Sequence, residues 1–407
     1  MDIRDVPEAH VDRAMELVYL VFHDNPEEEQ RKHHRELVLQ CERIGAYDGD
    51  TLVGFLAAHR FTLSVPGGEL PCPGLTFVSV APTHRRRGVL SAMIAELFRR
   101  GTRQGRPLAA LWASEDAIYG RFGFGPAMEC LSVEIDSRRP LALRIAPDER
   151  PLRLIDPADA PSVVGPYFDA TRAARAGRIA RDAERWRGEW LAEEAEEDDE
   201  LSPPRIVALG DTDEEIAGYA VYRTKSGNDD TGTPGLVRVD ELEADDAAAA
   251  AALWRYVASI DLTGTVRAWG RPLDDPLLLF AADRDQVRVT GGFPGLWVRL
   301  VDVRAALTGR AWAAPVDLVL DVRDQHIPAN TGRHRLTATQ EAGSYEPTGD
   351  APDLTLDVRD LAACYLGGTE VRRLVRAGLV AEHTRGAAAR LDAALRTELL
   401  PNSGDEF

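Results

Sequence analysis

The chain has 407 residues, which at roughly 150 residues per domain is enough for two or three domains. Its 67 Asp and Glu residues outnumber its 48 Lys and Arg residues, and the formal net charge is −19. This balance excludes a general nucleic-acid-binding protein, which needs a basic surface, and it favours a cationic partner.

The cysteines and the apolar segments indicate the compartment. The four cysteines form no Cys-x-x-Cys or Cys/His cluster, so we expect reduced thiols and no bound metal. The first residues, Met1-Asp2-Ile3-Arg4-Asp5, lack the apolar segment of a secretory signal. No uncharged apolar stretch approaches the roughly 20 residues that span a bilayer. We therefore expect a cytoplasmic protein without a membrane span.

The first block, about residues 1–150, begins with an amphipathic helix over residues 11–22 and a charged segment over 27–35. The apolar side chains of this helix share one face: Val11, Ala14, Leu17, Val18 and Val21. The predicted elements that follow are strands over 43–47 and 51–60 with Asp48-Gly49-Asp50 as the hairpin turn, a strand over 75–80, a helix over 90–100, a strand over 108–113 and a glycine-rich segment over 119–125.

The second block, about residues 151–295, repeats the order of the first in a degenerate form. Leu154-Ile155-Asp156-Pro157-Ala158-Asp159 matches the start of the chain, and residues 213–220 match residues 49–56. Val237-Arg238-Val239 precedes an alanine-rich helix. The acidic run Glu193 to Glu200 is predicted to be a solvated linker or helix end, because like charges repel one another.

The third block, about residues 296–407, contains strand patterns over residues 297–301, 316–322 and 354–358. Two or three short helices are predicted between Leu361 and Leu399. Separate runs of strands and helices are typical of a small α+β domain.

A strand, an arginine-glycine loop and a helix follow one another over VSVAPTHRRRGVL, residues 78–90. A helix N-terminus offers unpaired N–H groups and a partial positive charge, which together bind phosphate. Gly88 allows the backbone to approach an anion closely, and the arginines add charge-assisted contacts. The alternative is a basic surface turn without a ligand. The strand before the loop and the helix after it favour the phosphate site.

The segment Arg85-Arg86-Arg87-Gly88-Val89-Leu90 resembles the Q/R-x-x-G-x-G/A pyrophosphate loop of GNAT acetyltransferases, with Leu90 in place of the final Gly or Ala. Together with Ser114-Glu115 and Tyr119-Gly120-Arg121-Phe122-Gly123-Phe124, it resembles the Eis family of aminoglycoside N-acetyltransferases. The resemblance extends over the whole chain, and the internal repeat agrees with it independently.

The resemblance implies an α/β (α+β) fold with three parts. These are a catalytic GNAT domain over residues 1–150, a degenerate second GNAT domain over 151–295, and a sterol-carrier-protein-like α+β domain over 296–407 that ends in the catalytic carboxylate. In the second block Asp245-Asp246-Ala247 takes the place of the arginine-glycine loop. Carboxylates repel phosphate, so we expect acetyl-CoA to bind to the first block alone.

The resemblance also implies which residues bind acetyl-CoA. A strand separated from its neighbour holds the pantetheine arm, the loop and the helix start hold the pyrophosphate, and two residues lie beside the cofactor on the next strand. The implied residues are Val78, Ser79, Val80, Arg86, Arg87, Gly88, Val89, Leu90, Ser91, Ser114 and Glu115.

Amine acetylation needs a base, because an ammonium group with a pKa of ~10.4 cannot attack a thioester before it loses a proton. The resemblance implies that the terminal carboxylate of Phe407 is this base and that Tyr119 is the general acid. The backbone N–H of Val80 is the candidate for polarising the thioester carbonyl. The alternatives are a frayed tail and a tyrosine that only packs in an aromatic turn. We expect His84 to face solvent or the cofactor.

Phe22, Asp24, Phe77 and Glu406 resemble the groups that line the acceptor cleft of the family, and each is alternatively a core aromatic or a surface acid. The predicted function is acetyl transfer from acetyl-CoA to polycationic small amines such as aminoglycosides. The alternatives are acetylation of protein lysines and a non-catalytic lipid- or partner-binding scaffold. The resemblance implies a homo-oligomer, a hexamer.

Overall fold

The computed structural model describes residues 1–192, 201–213, 215–227, 232, 234–340 and 342–407. The predicted linker Glu193 to Glu200 lies outside the described residues. Within them, the strands are β1 Asp2–Asp5, β2 Glu42–Asp48, β3 Thr51–Val65, β4 Gly68–Val80, β5 Leu108–Trp112, β6 Gly125–Pro126, β7 Glu129–Asp136, β8 Leu152–Ile155, β9 Arg205–Gly210, β10 Ile216–Lys225, β11 Gly235–Ala244, β12 Thr263–Pro272, β13 Val287–Pro294, β14 Leu296–Leu300, β15 Val316–Arg323, β16 Gly332–Ala338, β17 Gly343–Pro347, β18 Leu354–Asp357 and β19 Ala381–Glu382.

The helices of the described residues are mostly short. They are α1 Val11–Phe22, α2 Glu28–Gln40, α3 Val89–Arg103, α4 Asp116–Tyr119, α5 Ala160–Arg172, α6 Ala183–Arg185, α7 Ala247–Val257, α8 Leu277–Phe280, α9 Val303–Thr308, α10 Val358–Tyr365, α11 Val371–Arg376 and α12 Ala387–Leu395. None of these helices has the length and apolar character that a bilayer crossing requires.

The first compact unit consists of residues 1–128, 295–401 and 405–407. Its larger sheet has the order β1-β2-β3-β4-β5-β14-β6, in which β1 to β4 are antiparallel neighbours and β5 is parallel to β4. A smaller sheet of the same unit has the order β17-β16-β15-β18-β19. The functional segments predicted from the first block and from the chain end therefore belong to one unit.

Two helices cover opposite faces of the larger sheet. Successive strand residues point to opposite faces, so Phe55 packs with α1 whereas Leu56 packs with α3. Four members of the apolar stripe predicted for residues 11–22 are 9% exposed or less, and the fifth, Val21, is partly buried; the four are Val11, Ala14, Leu17 and Val18. The charged segment predicted over residues 27–35 forms the start of α2. This helix begins with a reciprocal capping box between Glu27 and Gln30.

Strand exchange makes these units differ from the blocks predicted along the sequence. The sequence assigns residues 297–301 to the third block, but β14 pairs along its whole length with β5, from Leu296 opposite Trp112 to Leu300 opposite Leu108. Likewise β7, which lies within the first predicted block, pairs with β12 and β13. A cut near residue 150 or near residue 295 would separate a strand from the sheet in which it pairs. The blocks predicted along the sequence therefore do not coincide with the two units.

The second compact unit consists of residues 129–294 and 402–404. Its sheet has the order β13-β7-β12-β11-β10-β9-β8. The alanine-rich helix α7 is buried against this sheet, and Trp254 on α7 is fully enclosed. The side chain of Asp246 caps α7, with its carboxylate accepting the N–H of Ala249 at 2.9 Å.

Candidate active site

The sheet of the first unit opens between β4 and β5. The two parallel strands are in register at a single position, Gly74 opposite Ala110. Beyond that position β4 continues to Val80, and residues 75–80 have no register partner on β5 among the described residues. Residues 75–80 of β4 therefore present a backbone edge that an extended ligand can pair with.

A bulge interrupts β4 within this open segment. Thr76 pairs with Ala57 and Ser79 pairs with Phe55, so Phe77 and Val78 together oppose a single residue of β3. Phe77 has a φ of +52°, a conformation that non-glycine residues rarely adopt. The bulge sends the Phe77 side chain to the α1 face of the sheet, whereas Val78 and Val80 pack on the α3 face.

The predicted phosphate loop connects β4 to α3 and is exposed. Arg86 has a φ of +60° and Gly88 a φ of +80°, and Gly88 is the residue that precedes α3. A Cβ on Gly88 would have no atom within 4 Å, so the space beside this backbone is open. No side chain caps the start of α3. The N–H groups that begin the helix are therefore available to an anion.

Two of the arginine side chains in the loop are not neutralised by a neighbouring carboxylate among the described residues. Arg85 and Arg86 have no ion-pair partner within the chain segments that the structure describes. Arg87 lies 4.0 Å from the carboxylate of Asp48, and both side chains are more than half exposed. The ring of His84, which we expected to face solvent or the cofactor, contacts Asp48 at 3.4 Å and Thr83 at 2.8 Å, and its side chain is 19% exposed.

Tyr119 lies in the same core as the open strand. Ser114 and Glu115 are exposed at the end of β5, and α4 then carries Tyr119 into the apolar cluster that contains Val78 and Val80. The Tyr119 side chain is 7% exposed, and its hydroxyl has no hydrogen bond to a described residue. Burial, reinforced by the charge of Glu115, raises the pKa of Tyr119 to about 12.

The chain end lies at the point where β4 and β5 part. The ring of Phe407 contacts the ring of Phe61 edge-on, with the centroids 4.8 Å apart. A Cβ on Gly74 would lie 2.7 Å from Cε2 of Phe407. The indole N–H of Trp112, at the end of β5, donates to the carbonyl of Asp405 at 2.6 Å. Residues 405–407 are therefore packed against the first unit and are not a frayed tail.

The predicted acceptor residues are only partly brought together. Phe22, at the end of α1, is 43% exposed, and Asp24 and Glu406 are also exposed. Phe77 is half-buried and makes an edge-on contact with the ring of His34, with the centroids 5.7 Å apart. Phe77 thus contacts a histidine that the sequence analysis did not select.

His34 is one of two groups near the site that the sequence analysis missed. Its ring hydrogen-bonds to the hydroxyl of Tyr19 at 3.1 Å, and burial together with the neighbouring His33 lowers the pKa of His34. The other group is His59, which stacks on Phe61 at 4.6 Å and contacts Phe407 edge-on. Neither histidine belongs to a recognisable motif in the sequence, and only the folded chain brings them to aromatic site residues.

The second unit shares the opening but not the anion site. β11 pairs with β12 only from Gly235 to Val239, so residues 240–244, directly before α7, have no register partner on β12 among the described residues. Within this segment the carbonyl of Leu242 accepts the Arg271 guanidinium at 3.2 Å. The carboxylate of Asp246 already accepts an N–H at the start of α7, where an anion would otherwise bind. The capped helix start supports the expectation of one cofactor site, in the first unit.

A parallel strand pair that opens, followed by a glycine loop and a helix N-terminus, defines the class of GNAT acetyltransferases. Family comparison agrees with the fold. Acetyltransferase (GNAT) domains match residues 2–127 and 177–300, and a sterol carrier protein domain matches residues 303–401. The chain is 40% identical over 379 residues to an uncharacterized N-acetyltransferase of Streptomyces avermitilis, covering 91% of this chain and 92% of the relative.

More specific relatives narrow the class. The chain is 34% identical over 378 residues to N-acetyltransferase Eis of Mycobacterium tuberculosis, covering 90% of this chain and 88% of the relative. The crystal structure of Eis1 from Mycobacterium abscessus is similar over 100% of both chains, with a TM-score of 0.86 and 31% identity. The chain therefore belongs to the Eis family of GNAT N-acetyltransferases and is an acetyltransferase.

The site fits the acetyl-CoA that the GNAT fold implies. The cofactor combines an extended amide-bearing arm with a diphosphate, and the site combines an unpaired strand edge with exposed arginines and open helix N–H groups. The empty space beside Gly88 is where a side chain would obstruct a phosphate. Among the described residues, no group of three or more His, Cys, Asp and Glu side chains is placed to hold a metal ion.

Proposed function

We propose that this acetyltransferase transfers acetyl from acetyl-CoA to amines of small polycationic molecules such as aminoglycosides. The observation that carries the proposal is the position of Phe407, packed beside Gly74 where β4 and β5 separate. A chain end at this place puts an acid group beside the open strand. The net charge of −19 adds a field that attracts cationic acceptors.

The cofactor is held by backbone and by arginines. Val78 and Val80 pair with the pantetheine arm through the open edge of β4. The side chains of Arg86 and Arg87 and the N–H groups from Gly88 onward hold the diphosphate. The remaining predicted contacts, Ser79, Val89, Leu90, Ser91, Ser114 and Glu115, flank these groups. Acetyl-CoA supplies the acetyl group as a thioester, and Val80 N–H donates to its carbonyl oxygen.

The terminal carboxylate of Phe407 accepts the proton of the acceptor amine. An α-carboxyl group with a pKa of ~3.5 is a weak base in water, so this role requires that the chain end be enclosed. The enclosure comes from the rings of His59 and Phe61 and from Asp405, which is 1% exposed. The phenol of Tyr119 donates a proton to the leaving thiolate of the cofactor.

The acceptor binds between acidic and aromatic groups. Phe22 and Phe77 offer aromatic surface, and Asp24 and Glu406 offer carboxylates to a ligand with several ammonium groups. Burial lowers the pKa of His34, which disfavours a positive charge that would repel such a ligand. We also propose that the chain forms a hexamer, and light scattering of the purified protein tests this through the number of chains per particle.

The acceptor class is tested by following thiol release with three kinds of amine at equal concentration. These are an aminoglycoside such as kanamycin, a linear polyamine, and a peptide with one lysine. We expect the aminoglycoside to have the highest kcat/KM and to lose affinity as salt rises, because screening weakens the attraction. A faster reaction with the peptide would assign the enzyme to protein lysines instead. Turnover with none of the amines would contradict the proposed acceptor class.

A further inference from the structure

The loop that carries Tyr119 is enclosed by residues from the third part of the chain. We call residues 119–125 the acid loop. A Cβ on Gly120 would lie 2.5 Å from the guanidinium of Arg359, and a Cβ on Gly125 would collide with the backbone of α10. Gly123 has a φ of +84°. Gly125 is therefore required by close packing against the backbone of α10, and Gly123 is required by a left-handed turn.

One side chain of the third part bonds directly to the acid loop. The ring Nε2 of His326 lies 2.8 Å from the carbonyl oxygen of Arg121, two residues after Tyr119. The His326 ring also packs against the ring of Phe122, with the centroids 5.4 Å apart. His326 is otherwise exposed, so the core does not need it.

A buried carboxylate fixes the turn that presents His326. One oxygen of Asp324 accepts the backbone N–H groups of His326 and Ile327, at 3.0 and 3.1 Å. The other accepts the Arg299 guanidinium at 2.6 Å and the Asn330 amide at 2.9 Å. The side chains of Arg299 and Asp324 are 0% exposed. A carboxylate with four donors holds this turn rigidly.

We propose that His326 is a positioning residue for Tyr119, which makes the sterol-carrier-like part a support for acid catalysis as well as the source of the chain end. The proposal rests on the acid role of Tyr119 given above. Tyr119 and Phe122 are members of one hydrophobic cluster and adjacent helical turns, so fixing the Arg121 carbonyl and the Phe122 ring fixes the phenol. Misplacement of a catalytic group by about 1 Å costs up to 10²-fold in rate.

The kinetic test compares His326→Ala with His334→Ala. His334 is a matched control, because its ring also stacks on an aromatic ring, that of Tyr345 at 4.6 Å, and also contacts a backbone carbonyl. We expect His326→Ala to lower kcat about tenfold with the KM for acetyl-CoA unchanged. His326→Gln, which retains an N–H donor, recovers most of the rate. His334→Ala keeps the wild-type kcat.

A double-mutant cycle separates positioning from general damage. If His326 acts through Tyr119, then His326→Ala has no further effect on kcat in a Tyr119→Phe background. Equal losses in both backgrounds would overturn the proposal.

Hydrogen exchange gives a readout that does not depend on turnover. The amides of residues 119–125 should exchange about tenfold faster in His326→Ala than in wild type, with the other peptides unchanged. Unchanged exchange in the acid loop would refute the contact. An active Tyr119→Phe enzyme would instead remove the acid role, and faster exchange would then show that His326 orders the loop without serving catalysis, which also overturns the proposal.

Discussion

At the scale of single residues, burial of Tyr119 raises the pKa of the proposed acid to about 12. A free phenol has a pKa of about 10 and a thiol has a pKa of about 8.5. Burial therefore increases the difference in pKa between the proton donor and the leaving thiol. The buried phenol consequently contributes most as a fixed hydrogen-bond donor, which stabilises the negative charge that develops on the leaving sulfur.

Replacing Tyr119 by Phe removes that donor and keeps the ring that packs against Phe124. We expect kcat to fall about 10²-fold, within the usual range for a general acid, with little change in melting temperature. Tyr345→Phe is the control, since Tyr345 is a buried tyrosine outside the site whose hydroxyl has no partner among the described residues. Wild-type turnover by Tyr119→Phe would exclude the acid role.

The same pKa predicts how the rate depends on pH. An acid must be protonated to act, and a group with a pKa of about 12 stays protonated at all lower pH values. We therefore expect no loss of kcat from Tyr119 between pH 8 and about 10.5, where a free phenol would already ionise. A decline with a midpoint near pH 10 that disappears in Tyr119→Phe would contradict the buried environment.

Gly88 is a second residue whose backbone geometry makes a prediction. With a φ of +80° and open space around it, Gly88→Ala leaves the fold intact at a cost of about 1 kcal/mol. The added methyl group occupies the space of the phosphate, so we expect the Kd for CoA, measured by calorimetry, to rise at least tenfold. Gly105→Ala is the matched control, because Gly105 has a φ of +65°, equal space, and a place beyond the far end of α3. Equal CoA affinity in both variants would exclude Gly88 from the phosphate site.

At the scale of elements, the chain end contributes a ring and a carboxylate that experiments can separate. Phe407→Leu keeps the carboxylate and loses the contacts with His59 and Phe61. Adding Gly-Ser after Phe407 keeps the ring and converts the carboxylate to an amide. We expect the extension to lower kcat about 10²-fold and Phe407→Leu to lower it less, with both proteins folded. An extended chain with the wild-type kcat would show that another group is the base.

The start of the helix after the parallel strand pair distinguishes the two units. Both β4 and β11 extend beyond their register with the next strand, over residues 75–80 and 240–244. No side chain caps the start of α3, whereas the carboxylate of Asp246 caps the start of α7. A carboxylate at this place repels a phosphate, so we expect the first unit alone to bind the diphosphate of the cofactor.

At the scale of the whole molecule, the first unit is built from distant parts of the chain. β14 lies between β5 and β6, so a fragment of residues 1–150 would leave both without their partner. We expect this fragment to lack a cooperative thermal transition and to aggregate through its open edges. A fusion of residues 1–128 to 295–407 restores the sheet. A short linker suffices for it, because Gly295 N–H donates to the carbonyl of Met128 at 2.8 Å. Cooperative unfolding of the fragment would contradict this account.

The sequence alone determined what depends on neighbouring residues. The order strand, Arg85–Gly88 loop and helix α3 is local, so periodicity and a glycine could predict an anion site before any fold was known. The apolar stripe of α1 and the turn at Gly49 were predicted for the same reason. The family resemblance supplied Tyr119 and Phe407, whose proposed roles are not visible in local patterns.

The tertiary structure decided what depends on residues far apart in the chain. No pattern near residue 300 indicates that β14 pairs with residues 108–112, and none near residue 326 indicates a hydrogen bond to Arg121. The same holds for His34 beside Phe77 and for His59 beside Phe407. Periodicity reports which face of an element is buried, whereas the partner on that face is chosen by packing of the complete chain.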